Sequence, residues 1–132
     1  MSINFDSALG VHSDALRVHS KRAELLASNL TNADTPNYKA RDIDFKDAMK
    51  TASSNQSTGI KTTHTNHIST GGGQFTSPDL KYRTIMQDSL DGNTVDEQVE
   101  QTQFMENSIK YQASLTFLGS KFKDLITAVR GD

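Results

Sequence analysis

Histidine pairs are the first residues in this sequence with types and spacing that suggest chemistry. His64 and His67 stand three apart and are the nearest thing to a metal-ligand pair. Zinc needs three or four ligands drawn from Cys, His and carboxylates. The chain has no cysteine and no carboxylate close to this pair, so no metal is expected there. His12 and His19, seven apart, fall on a helical seam and are expected to be partly buried packing residues bonded to a neighbouring helix. Because His titrates near neutrality, a pH-sensitive contact stays open. Asp42 and Asp44 would point the same way on an extended strand. Paired carboxylates do acid–base work only where a pocket drives their pKa values apart. Lys39, Arg41 and Lys46 are near in sequence, so surface ion pairs are expected instead. The run Asp88-Ser-Leu-Asp91-Gly-Asn93 lacks the alternating ligand spacing of an EF-hand loop. Ser120-Lys-Phe-Lys123 fits Ser-x-x-Lys without the partner motifs of that chemistry. Gly71, Gly72 and Gly73 are not followed by the Lys-Ser/Thr of a phosphate loop and read as a hinge. No Glu occurs between residues 25 and 96. An enzyme, such as a cell-wall hydrolase, is therefore disfavoured, and no catalytic residue, metal or cofactor is expected.

Composition narrows the remaining classes. The 132 residues suffice for one domain, yet only 34% are hydrophobic and none is Trp. A compact core of ordinary weight is doubtful. The net charge of −2, from 14 basic and 16 acidic residues, argues against a nucleic-acid partner, which would call for a basic patch or stripe. No apolar run approaches the ~18 residues of a membrane span. The opening MSINFDSALGVHSD lacks the basic and apolar regions of a cleavable secretory signal.

The elements that would position any site are two long helices. Phe5, Leu9, His12, Leu16, His19, Ala23, Leu26, Leu30 and Ala33 alternate spacings of four and three, the pattern of a heptad seam. It is a weak seam, with two His and two Ala. A second row, Val11, Val18 and Leu25, recurs every seven residues on nearly the opposite face. Near the other end, Phe104, Ser108, Tyr111, Leu115, Leu118, Phe122, Leu125 and Val129 repeat the four-and-three spacing. A further row runs through Val95, Val99, Thr102, Ile109, Ala113 and Thr116. A surface helix ordinarily has one apolar stripe; a helix with two wants two neighbours. DGNT (91–94) reads as a turn, Thr94-Val-Asp-Glu97 as a capping box, and Gly131 as the stop. Acidic residues gather early in this helix and bases late, which suits the helix dipole. The helices would hold about 29 and 35 residues and span roughly 43 and 52 Å.

Between them the chain changes character. Residues 51–74 hold Ile60 and Ile68 as their sole large aliphatics, too little apolar surface to offset ordering entropy. That stretch is expected to be mobile in an isolated monomer or extended against neighbours. Ile43 and Phe45 before it, and Phe75, Leu80, Tyr82 and Ile85 after it, suit short β segments or a hairpin-like patch. The expected fold is mainly α: an N-terminal assembly helix (1–33), a turn, extended arm and flexible middle (34–93), and a C-terminal assembly helix (94–132), the two helices paired as a coiled-coil-like hairpin.

At the junction Pro36 disfavours helical geometry at Thr35, so the first helix must finish by Asp34. Asn29 and Asn32 carry amides able to reach backbone carbonyls left open there. Thr35-Pro36-Asn37-Tyr38 reads as a β-turn in which Asn37 takes positive φ. Ala27-Ser-Asn29-Leu-Thr-Asn32-Ala-Asp-Thr35-Pro36-Asn37-Tyr38 also resembles the N-terminal signature of the flagellar basal-body rod proteins, with Asn37 where the family usually has Gly. The run Lys39-Ala-Arg-Asp42-Ile-Asp-Phe45, the DGNTVD of 91–96, and Tyr111-Gln-Ala-Ser-Leu115-Thr-Phe-Leu118 extend the resemblance to both ends of the chain.

The resemblance implies a structural subunit of the proximal flagellar rod, the axle that passes torque to the hook around a central export channel. It implies export in unfolded form, without a cleavable signal, to the periplasm. Implied partners are copies of itself, other rod proteins, the rotor-ring/rod junction protein and the export gate. The residues expected to carry assembly are the turn, Asn29, Asn32, Thr35, Pro36, Asn37 and Tyr38, and the packing rows: Leu9, Leu16, Leu26 and Leu30; Val11, Val18 and Leu25; Tyr111, Leu115, Leu118, Phe122, Leu125 and Val129. The rival is a non-catalytic helical binding module such as an export chaperone.

Overall fold

A computed structural model describes Leu9 and residues 11–57, 78–84 and 89–131. Expectations for Phe5, Ile60, His64, His67, Ile68, the Gly71–Gly73 hinge, Phe75, Ile85 and Asp88, and for most of the 51–74 stretch, lie outside the described residues. In chain order the elements are α1 (Val11–Thr31), β1 (Arg41–Ile43), α2 (Phe45–Ser57), β2 (Leu80–Tyr82) and α3 (Glu97–Arg130).

The two long helices do pair. His19 meets Asn107 and Asn29 meets Glu100, so α3 runs antiparallel to α1. The start of α3 differs from the capping box at Thr94. The N-cap is Asp96, whose carboxylate accepts from the Gln98 and Val99 amides. Thr94 is occupied elsewhere: its N–H bonds the Tyr38 carbonyl at 3.1 Å and its hydroxyl accepts from Ala40 N at 2.8 Å. Glu97 and Glu100 add negative charge to the first turn, where the dipole favours it. The helix stops at Gly131, left-handed at φ 75°, with its N–H on the Thr127 carbonyl.

β1 and β2 are antiparallel, with Arg41 opposite Tyr82, Asp42 opposite Lys81 and Ile43 opposite Leu80. That is the short β patch expected around Ile43, Leu80 and Tyr82. Phe45, however, opens α2 rather than continuing a strand. The cause is local. Asp44 Oδ1 accepts from the Lys46 and Asp47 amides, an N-cap, and Phe45, Ala48, Met49 and Ala52 then fall on one helical face. Ala48 and Ala52 are buried, and Phe45 and Met49 pack on the cluster of Val18, Ile43 and Ala48 that also takes in Leu25. Lys81 pairs with Asp47 and Asp44 and ties β2 to α2. Val18 and Leu25 of the second row of α1 thus face the arm, with Val11 left exposed, while α3 lies on the adjoining face.

Candidate functional site

Two constructions stand out: the turn that ends α1, and a partly buried polar cluster between α1, the arm and α3. At the turn, Asn37 has φ 62°, the one non-glycine among the described residues in that region. Tyr38 N–H closes the turn on the Thr35 carbonyl at 3.3 Å. Asn32 bonds back into the helix, Nδ2 to the Ser28 carbonyl at 2.8 Å, and accepts from the Thr35 hydroxyl. The decisive group comes from far along the chain. Asn93, buried, donates Nδ2 to the carbonyls of Asn32, Ala33 and Thr35 at 3.0, 2.5 and 3.0 Å. Asn37 N–H bonds the Asp91 carbonyl at 2.9 Å and Lys39 Nζ the Gly92 carbonyl at 2.6 Å. The DGNT turn therefore plugs the open end of α1.

In the polar cluster, Arg22 of α1 grips Asp42 of β1 with both Nε and Nη2, each at 2.9 Å, and reaches Gln103 of α3 at 2.7 Å. Arg83, just after β2, bonds Asp42 at 2.7 Å and Glu100 through its other nitrogen. Asn29 completes the circuit. Its Nδ2 donates to Glu100 Oε2 at 3.1 Å and to the Arg41 carbonyl at 2.9 Å, while its Oδ1 accepts from Arg41 N and the Tyr38 hydroxyl. One helical stretch away, His19 Nδ1 bonds Asn107 Oδ1 and Asn107 Nδ2 donates to the His19 carbonyl, both at 2.9 Å. His19 also stacks on Phe45, ring centroids 4.5 Å apart. His19 is buried as the sequence suggests; His12 is half-buried, 6.3 Å from the Phe117 ring.

Burial alone would push the Asp42 carboxyl up, but hydrogen bonds from Arg22, Arg83 and the Ile43 amide hold it below the ordinary range. For Glu100 the balance tips the other way. Burial raises its carboxyl above the ordinary value despite the Asn29 and Arg83 contacts. Asp42 and Asp44 do not form the surface pairs expected with Lys39, Arg41 and Lys46. Asp42 is committed to two long-range guanidiniums, and Asp44 to the cap of α2 with Lys81 at 3.7 Å. Among the described residues no buried side-chain polar atom lacks a partner and no group of three acidic, His or Cys residues is arranged for a metal. The cluster joins α1, β1, the residue after β2 and α3.

The packing rows divide. Val18 and Leu26 are buried, Leu9, Leu16, Leu25 and Leu30 half-buried, and Val11 exposed. On α3 the less exposed row runs through Glu100, Gln103, Asn107, Ser114, Leu118 and Leu125, of which Glu100, Gln103 and Asn107 bond to α1. Its first three positions are polar. The rest of the expected seam lies roughly 70° round the helix. There Phe104, Tyr111, Leu115 and Phe122 stay 36–40% exposed, Ile126 51% and Val129 87%. This stripe covers about 38 Å of helix. At its upper end, with His19, Ser20 and Ala23 of α1, it borders a groove of about 250 Å³. Sequence periodicity found the stripe but not which row would meet α1. The buried polar residues Glu100 and Asn107, seven apart, were the missed signal.

No protein-family model matches the chain. Full-length relatives do. It is 48% identical over 134 residues to the flagellar basal body rod protein FlgB of Aeromonas hydrophila, an alignment spanning 100% of this chain and 99% of that protein. Identity to FlgB of Salmonella typhimurium strain LT2 is 44%, over 96% of this chain and 95% of that one. To FlgB of Escherichia coli strain K12 it is 39%, over 95% and 94%.

Proposed function

This chain belongs to the FlgB family of flagellar basal body rod proteins, and from that premise we propose that it polymerises with its own copies and other rod proteins into the proximal rod. It is a structural component of the rod and not an enzyme. In the finer reading, the rod passes torque outward and encloses the export channel, and the subunit reaches the periplasm unfolded through the flagellar export apparatus. The rotor-ring/rod junction protein and the export gate are its neighbours at the base.

The observation that carries assembly is the exposed stripe on α3. One side of the α1–α3 pair is covered by α2 and the two strands, whereas Phe104, Tyr111, Leu115, Phe122, Ile126 and Val129 have no such cover among the described residues. Contiguous exposed apolar surface of this kind marks a protein–protein contact. Each large side chain buried there contributes about 1.5–3 kcal/mol, repeated in every subunit of an array. Contacts between unlike faces that do not close on themselves build filaments.

The test is to delete the gene, image basal bodies by cryo-electron microscopy and complement with the intact chain. The expected result is membrane rings without an axle, restored on complementation, with density at the rod base that accommodates the α1–α3 pair. Complete rods in the deletion strain would overturn the reading.

A further inference from the structure

Apolar rows are poor at choosing among themselves. α1 and α3 each carry more than one, on the same seven-residue repeat. Sliding α3 by seven residues along α1 lays the heptad spacing back on itself. The slide pulls residues 91–94 off the end of α1, and within the helix pair it breaks the polar pairing. In the observed alignment Asn107 exchanges two hydrogen bonds with His19, and Asn29 donates to Glu100, whose other oxygen meets Arg83. All four residues are buried: His19 4%, Asn29 0%, Glu100 1% and Asn107 1% exposed. A slide one way brings Asn107 to Asn29 and Ser114 to His19, and carries Glu100 away from its partners. A slide the other way sets Glu100 against His19, out of reach of Arg83. Either leaves buried polar groups without their bonds, which is costly, above all for a carboxylate.

We propose that His19, Asn29, Glu100 and Asn107 are specificity-determining residues that select the register in which α1 and α3 meet, at a cost in stability relative to an apolar seam. Replacing buried ionic groups by well-packed apolar ones is often neutral or stabilising, whereas leaving one partner unpaired is strongly destabilising. A single buried Asn fixes register in coiled coils by the same logic. In the observed register the Phe104–Val129 stripe stays partly exposed. The use of that stripe by neighbouring subunits rests on the rod reading; the register selection does not.

The chain has no cysteine, so introduced thiols report the alignment. Ser20 and Ser108 line the same groove between the helices. Ser20→Cys with Ser108→Cys reports the observed register, and Ser20→Cys with Leu115→Cys reports a slide of seven. The full chain, dilute, is treated with a short bis-maleimide. With the natural polar residues the first pair is expected to cross-link and the second to stay at background. With His19→Phe, Asn107→Leu and Glu100→Met together, helicity is expected to be kept and the second pair to reach a yield comparable with the first. His19→Phe with Asn107→Leu alone should give an intermediate yield. An unchanged cross-linking pattern in either multiple variant would overturn the proposal. Loss of helicity in both would equally overturn it, because the groups would then be stabilising rather than selective.

Discussion

Asn93 donates its side-chain amide to the carbonyl of Ala33, 60 residues earlier, at 2.5 Å. The same nitrogen serves Asn32 and Thr35, so one buried amide closes the end of α1 and fixes it to the turn that precedes α3. Asn93→Ala leaves those carbonyls without this donor, and a buried unsatisfied polar group costs about 1–3 kcal/mol. Asn93→Asp should cost more, because a carboxylate would face three carbonyl oxygens. Urea unfolding followed by circular dichroism checks both. Midpoints equal to the wild type would show that water replaces the amide.

The left-handed residue of the junction gives a second expectation. Asn37 sits at φ 62°, accessible to Asn and Gly but a genuine outlier for a β-branched residue. Its side chain lies close to Gly92, itself at φ 72°, where an added Cβ would come 2.7 Å from Asn37 Oδ1. Asn37→Gly should therefore leave motility intact and Asn37→Val should reduce it, with swim-plate diameter as the measurement. Equal motility of the two strains would show that assembly does not depend on this conformation.

Local chemistry made the junction legible in the sequence. Pro36 bars the helix, Asn37 suits the left-handed position, and Gly131 stops α3. The pairing of the long helices was legible from heptad spacing. α2 was not, because two of its buried positions are Ala48 and Ala52, which a search for large apolar residues passes over; Asp44 as a cap with the 45-48-49-52 spacing was the available signal. The polar cluster was hidden for a different reason. Asp42 finds Arg22 and Arg83, 20 and 41 residues away, and no local pattern announces a partner at that separation. Thr94 misled in the same manner, since its hydroxyl was claimed by Ala40 across the fold.

Acid should act on half-buried Asp42 and buried Glu100 in opposite senses. The folded pKa of Asp42 is lowered, so its contribution is present above the unfolded value of about 3.9 and is lost as pH falls through the folded value. The folded pKa of Glu100 is raised, so its contribution is full below about 4.3 and is lost as pH rises through the folded value. The stability of Asp42→Asn relative to wild type should accordingly recover toward acid pH. That of Glu100→Gln should rise relative to wild type as pH climbs from about 4.3 through the raised value. Unfolding midpoints measured across that range check the signs, and parallel curves for all three proteins would remove both carboxyls from the pH dependence.

The two faces of α3 should respond differently to charge. Leu118 is half-buried on the less exposed row, whereas Phe122 is 39% exposed on the outer stripe. Leu118→Asp places a carboxylate in the intrachain seam and should lower the stability of the isolated subunit by about 2 kcal/mol, the order of a buried Leu. Phe122→Asp should change it by no more than about 0.5 kcal/mol, as for other exposed positions. Both should abolish rods and swimming, the first by disturbing the subunit and the second by placing a charge in a contact between subunits. Export should survive in both, because a chain that travels unfolded does not use its seams in transit. The measurements are unfolding of the purified variants, the exported fraction, and images of basal bodies. Normal rods with Phe122→Asp would place the outer stripe in solvent, and assembly would then have to run through another face of the α1–α3 pair.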